Sequence, residues 1–239
     1  GEGALPQRLH LLGAPSGFVS PSGTLASGPY KIVLADSGLP DLDVLAETIR
    51  SVHAAGRGVA VHCVSREAFA ILLAAFTEVG TRPGDRIEHG ALIPAESVDD
   101  LRRLGLRVVS QPGFLADRGD SYLRDVDPRD HDDLYRCRSL LDAGVPLALS
   151  SDAPYGPLDP WEPIAAATPR PPAAGTVLGH SEILEPSQAL AGFLSAADDP
   201  GGKPRTIGIG QPGDVVLLHA PLADVLAAPS LSAVRATVI

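Results

Sequence analysis

Short apolar runs alternate along the chain with longer segments in which apolar residues recur every three or four positions. The runs at 8–13 (RLHLLG), 30–36 (YKIVLAD), 58–64 (GVAVHCV), 85–92 (DRIEHGAL), 107–113 (RVVSQPG) and 146–154 (PLALSSDAP) read as strands. Between them, 40–56, 65–80, 94–105 and 131–144 carry the helical period. Gly56, Gly105 and Gly144 stand where a helix stops, because glycine accepts the left-handed conformation of a C-terminal cap. Strand–helix alternation at this spacing predicts parallel strands joined by crossover helices. The strands are nearly continuous apolar runs, as expected when helices cover the sheet.

About six strand–helix units can be read in this way; a closed (β/α)8 barrel needs eight, whereas an open doubly wound sheet is complete with six. After residue 200 the texture changes. DDPGGKPR is a turn cluster, and strands follow at 214–219 and 232–239. The expected organisation is therefore a large α/β part over 1–200 and a small β appendage over 201–239. The segments 14–29 and 169–180 read as Pro/Gly/Ala/Ser-rich loops.

Composition narrows the classes. The net charge of −10 argues against a nucleic-acid partner, whose phosphates call for clustered positive charge. No apolar run approaches the roughly 18 residues of a membrane span, and no basic-then-apolar leader is visible. Two cysteines, Cys63 and Cys137, are too few for a disulfide framework, so a reducing cytoplasmic setting is expected. The chain has no methionine and opens on GEGALPQRLHLLGAP, and we read it as a piece of a longer polypeptide.

The chemistry lies in polar residues placed in or after the apolar strands. Lys31 stands inside YKIVLAD, where a charged ammonium is costly to bury; either it reaches out of the strand or its amine is used. His62 and His89 end their strands, and Asp152 follows LALSS. Alternation puts Lys31 with Val33 and Ala35, His62 with Ala60, and His89 with Ile87. Each residue alone has a structural explanation: a core histidine, a turn aspartate, a solvent-reaching lysine. One such residue on each of four strands is how a metal cluster is assembled at a barrel mouth. Asp36, Tyr155 and Trp161 are candidate contributors to the mouth, and Arg136 and Arg138 candidate partners of acidic groups. Cys63 faces away from its neighbour His62 and reads as a packing residue, as does Cys137. His53, His131, His180 and His219 read as surface residues. GIGQPG is a turn with no helix behind it, and no G-x-S-x-G occurs.

Taken in order, AVHCVSREA (60–68), DRIEHGALIP (85–94), YRCRSLLDAGVPLALSSDAPYGPLDPW (135–161) and GQPGDVVLLHAPL (210–222) resemble the metal-dependent amidohydrolase superfamily. The resemblance runs over roughly residues 8–239. It implies a (β/α)8 barrel of the amidohydrolase type, here incomplete, with part of a small β-sandwich at the C-terminus. It implies that Lys31 is the strand-4 lysine, carboxylated in many members, and that His62 and His89 are further metal ligands. It implies that Asp152 is both a ligand and the general base. Hydrolysis of an amide or cyclic amide C–N bond by a metal-activated water would follow, on a small-molecule substrate. One or two divalent ions are expected; zinc suits the donor set best, and manganese or iron also fit.

One departure from the pattern is plain. The family's first strand carries a His-x-His pair, and this chain contains none; His10, in RLHLLG, is followed by two leucines. A complementary N-terminal polypeptide piece or a homodimer is the corresponding expectation. The missing pair also admits a non-catalytic relative acting as a ligand-binding module or subunit. An open-sheet enzyme without metal is a third reading; it leaves the four-residue set unexplained.

Overall fold

The computed structural model describes residues 7–15, 17–20, 23–168 and 178–239. Its centre is a five-stranded parallel sheet: β3 (Tyr30–Val33), β4 (Val59–Cys63), β5 (Arg86–His89), β6 (Arg107–Ser110) and β7 (Leu147–Leu149), paired in chain order. Two short strands precede it, β1 (Leu9–Leu11) and β2 (Leu25–Ser27), parallel to each other. β2 leads into β3 across Gly28 and Pro29. A Cβ at Gly28 would meet the His10 ring, which would have to move aside. β2 falls in a segment expected to be loop; three residues bounded by Gly and Pro carry no readable period.

Helices α1 (Leu42–Ala54), α2 (Arg66–Val79) and α3 (Val98–Leu104) lie where the periodicity predicts them. The Ser65 side chain caps α2 by accepting from the Ala68 N–H, and Gly105 closes α3 in the left-handed region. Their apolar stripes pack on one face of the sheet. Leu45, Ile49, Phe69, Leu72, Phe76 and Leu101 meet Val61, Ile87, Val108 and Leu147 in a single large core.

Further along, the expectations need correction. The strand predicted over 107–113 ends at Ser110, and a helix, α4 (Gly113–Asp125), follows it directly. The helix predicted over 131–144 is broken. A 3-10 segment, Pro128–Asp133, is followed by extended Leu134 and by Tyr135 at φ 47°, and only then by α5 (Arg138–Asp142). Three short helices complete the set: α6 (Trp161–Ala166), α7 (Pro186–Ala191) and α8 (Leu222–Ala227). Of the predicted loop 169–180, residues 169–177 lie outside the described residues. The C-terminal strands β8 (Val215–Leu218) and β9 (Val234–Val238) form an antiparallel pair near their predicted positions. No helix among the described residues is long and apolar enough to cross a membrane.

Candidate active site

The two faces of the sheet differ in chemistry. Register aligns Lys31 with Ala60 and Arg86, and Val33 with His62 and Glu88. The face opposite the helices therefore carries Lys31, His62, Arg86 and Glu88. Arg86 and Glu88 form a buried ion pair at 2.6 Å. A buried charge persists only when paired in this way.

At the C-terminal ends of the strands a cavity of about 900 Å3 opens, and its lining includes Lys31, His62, His89 and Asp152. The structure thus brings all four candidates to one space from four separate segments. The His62 and His89 rings meet edge to face, with centroids 4.5 Å apart.

His89 does not reach the cavity by strand alternation. Its register partner is Cys63, which faces the core, and its predicted face-mate Ile87 is buried in that core as well. The backbone at His89 adopts φ 72°, which breaks the parity of the strand and turns the imidazole to the other side. Asp152 also sits at positive φ, 54°, a region that non-glycine residues seldom occupy.

Burial holds the Lys31 ammonium below the usual lysine range and Arg86 pushes the same way, against the charges of Glu88 and Asp152. Burial also lowers His62, helped by His89 and Lys31 and opposed by Asp36 and Asp152. Both groups are therefore shifted toward their neutral, electron-donating forms.

Several residues in or behind the cavity wall escape a reading by sequence. Gln111, buried just past the end of β6, meets His89 Nδ1 at 2.8 Å through its Oε1. Phe114, Tyr122 and Tyr135 form an aromatic wall, the two tyrosine hydroxyls 2.7 Å apart. Burial raises the Tyr135 hydroxyl well above the usual tyrosine range, so it stays a proton donor. A helical period in 113–125 would have exposed the wall. For Gln111 the only signal is a polar residue just beyond an apolar strand.

Other candidates sort clearly. Asp36 and Tyr155 line the cavity. Trp161 is buried in the main core, so it is a packing residue and not a substrate contact. Cys63 and Cys137 are buried and free, as expected. His53 is no surface residue: its Nε2 lies 3.0 Å from the buried carboxylate of Asp85. His131 is half-buried, its Nε2 3.0 Å from the Val126 carbonyl. Arg136 is buried and pairs with Asp133 and with Glu182, the latter at 3.0 Å. Arg138 pairs with Asp142 across one helical turn.

The donor chemistry suits a divalent ion in part. Two imidazoles in contact, with a carboxylate and a lysine amine on the same cavity wall, are nitrogen and oxygen donors of the kind zinc takes. Among the described residues, however, no group of three or more His, Cys, Asp or Glu is gathered as a ready metal-binding set. Lys31, or a ligand from outside the described residues, is needed to complete one.

The chain is 27% identical to the N-substituted formamide deformylase of Arthrobacter pascens, over 71% of this chain and 33% of that protein. It spans about a third of the length of the curated relatives it matches. Among solved structures, a metal-dependent hydrolase from Pyrococcus furiosus superposes with a TM-score of 0.62 at 24% identity, over 72% of this chain and 39% of that one. An adenosine deaminase from Xanthomonas campestris with bound zinc superposes at 0.65 with 13% identity, over 92% and 52%. These likenesses establish an α/β fold with a mostly parallel central sheet. The family model for amidohydrolases matches residues 22–239, and the chain belongs to the amidohydrolase family.

Proposed function

We propose that the chain carries the reacting centre of a metal-dependent hydrolase of amide or cyclic amide C–N bonds. The observation that carries this reading is the convergence of Lys31, His62, His89 and Asp152 on one cavity. In this reading His62 and His89 hold a divalent metal. Lys31 joins them as a carbamate, whose formation from CO2 needs the neutral amine that burial favours. A metal bound there polarises the scissile carbonyl and acidifies water. Asp152 takes the proton that the attacking water gives up and returns it to the departing nitrogen. Zinc is the metal we favour: the donor set suits it, and one structural neighbour has it bound.

The aromatic wall of Phe114, Tyr122 and Tyr135 suits a substrate with an apolar substituent on the amide. The Arthrobacter pascens relative is named for an N-substituted formamide, an amide with a substituent on its nitrogen. Because the chain spans a third of that relative, a complementary polypeptide segment supplying the His-x-His pair belongs to this proposal, as does the incomplete barrel with its partial β-sandwich.

The test is metal content by mass spectrometry, followed by a panel of N-substituted amides offered to the zinc-loaded chain. Asp152→Asn is expected to lower kcat by about 10²–10⁴-fold while the metal stays bound. Among the described residues no three-ligand set stands ready, and this favours a second reading, a ligand-binding relative without turnover. Stable metal-free protein that binds an amide without cleaving it would select that reading.

A further inference from the structure

The buried side chain of Gln111 makes three hydrogen bonds that together determine how it must lie. Its Nε2 donates to the Val109 carbonyl at 3.1 Å and to Ser150 Oγ at 2.8 Å. A backbone carbonyl can only accept, so the amide end facing Val109 is the NH2 group. Turning the amide over would set two oxygens face to face. The other end, Oε1, is therefore the end 2.8 Å from His89 Nδ1. That oxygen can only accept, so His89 Nδ1 must carry a proton. A neutral imidazole has a single N–H, and the nitrogen across the ring, Nε2, is left with its lone pair.

We infer that Gln111 is a positioning residue: it locks His89 as the Nδ1–H tautomer and presents Nε2 as the donor atom in the cavity. The inference rests on the proposed metal role of His89 for its purpose, and on the hydrogen bonds alone for the tautomer. It also accounts for how an imidazole on a left-handed backbone keeps one orientation. His89 departs from its strand at φ 72°, where alternation no longer dictates its direction, and the amide from the next strand's end holds the ring. Ser150, at the end of β7, holds the amide in turn, so the orientation of one ligand draws on three neighbouring strand ends.

The experiment is long-range 1H–15N correlation of histidine rings in the metal-free chain, at mildly alkaline pH. The His89 signals are identified by their loss in His89→Gln. The wild type is expected to show the proton on Nδ1. Gln111→Glu keeps an acceptor facing Nδ1, although its second oxygen now meets the Val109 carbonyl, and is expected to keep that proton. Gln111→Leu removes the acceptor and is expected to shift His89 toward the Nε2–H form and to weaken zinc binding, measured by titration, about 10–100-fold. A wild-type His89 protonated on Nε2 overturns the inference, as does a folded Gln111→Leu with unchanged tautomer and zinc affinity. Should the leucine variant not fold, the wild type and Gln111→Glu still decide. Because the tautomer is read without metal, an Nδ1–H histidine in a chain that cleaves no amide upholds the role of Gln111 and removes only the hydrolase reading.

Discussion

At the scale of single residues, solvation decides which groups are reactive. Lys31 and His62 are both pushed toward their neutral forms by partial burial beside other cations. The thiol of Cys137 is pushed the other way. Burial, reinforced by the Glu182 carboxylate, raises it from 9.0 to about 12, so it stays protonated and inert at neutral pH. The consequence for stability has a definite sign. In the unfolded chain the thiol ionises near 9; in the folded chain it keeps its proton to about 12. Its contribution is therefore whole below pH 9 and is lost as pH rises through that window. The stability advantage of wild type over Cys137→Ala should shrink above pH 9 by about 1.4 kcal/mol per pH unit. Urea unfolding of both proteins at a series of pH values measures it. A gap that is independent of pH would show that the thiol ionises alike in both states.

At the scale of elements, legibility follows how much apolar surface an element buries. Strands β3 to β7 and helices α1 to α3 were readable because each presents a continuous or periodic apolar run to one core. Helix α4 was not, since it buries only Phe114, holds two glycines and is kinked at Arg118. His62, His89 and Asp152 are legible as polar groups at or just after strand ends and Lys31 as a charge inside an apolar strand, whereas the turn of His89 into the cavity is not, because sequence parity assigns it to the side of Ile87. Residues 131–137 depart from the helix expected over 131–144 because their order comes from charge. Arg136 reaches Asp133 and Glu182, Glu182 also accepts from the Ser139 N–H and hydroxyl, and Arg66 joins Asp130 and Asp133 to α2. Apart from Arg136–Asp133, three residues apart, these pairings are long-range, and no local period announces them. Arg136→Leu should leave two buried carboxylates short of a partner and cost about 3–5 kcal/mol. The double variant Arg136→Leu/Glu182→Gln should recover part of that, as read by chemical denaturation. Equal losses in the single and double variants would mean that the ion pair is not what holds the segment.

At the scale of the whole molecule, the question is whether the last forty or so residues stand apart from the α/β sheet, as the change of texture after residue 200 suggests. Their polar contacts reach across the molecule: Asp214, just before β8, pairs with Arg8, just before β1, and with Arg205. Their apolar contacts are more telling. Val225 of α8 is buried in the same core as the sheet and α1 to α3, and Leu218, Leu226 and Val234 pack against its edge. Trp161, the single tryptophan, lies in that core too, on α6. A core shared in this way couples the unfolding of its parts. Val225→Ala, which removes two buried methyl groups, is expected to lower stability by about 2 kcal/mol. If the core is one cooperative unit, that loss appears in full at Trp161. Urea transitions followed by tryptophan fluorescence and by far-ultraviolet circular dichroism should then coincide and shift together. If the C-terminal segment folds as a unit of its own, the fluorescence transition should stay where it is in the wild type, while a separate, earlier dichroism step moves to lower urea.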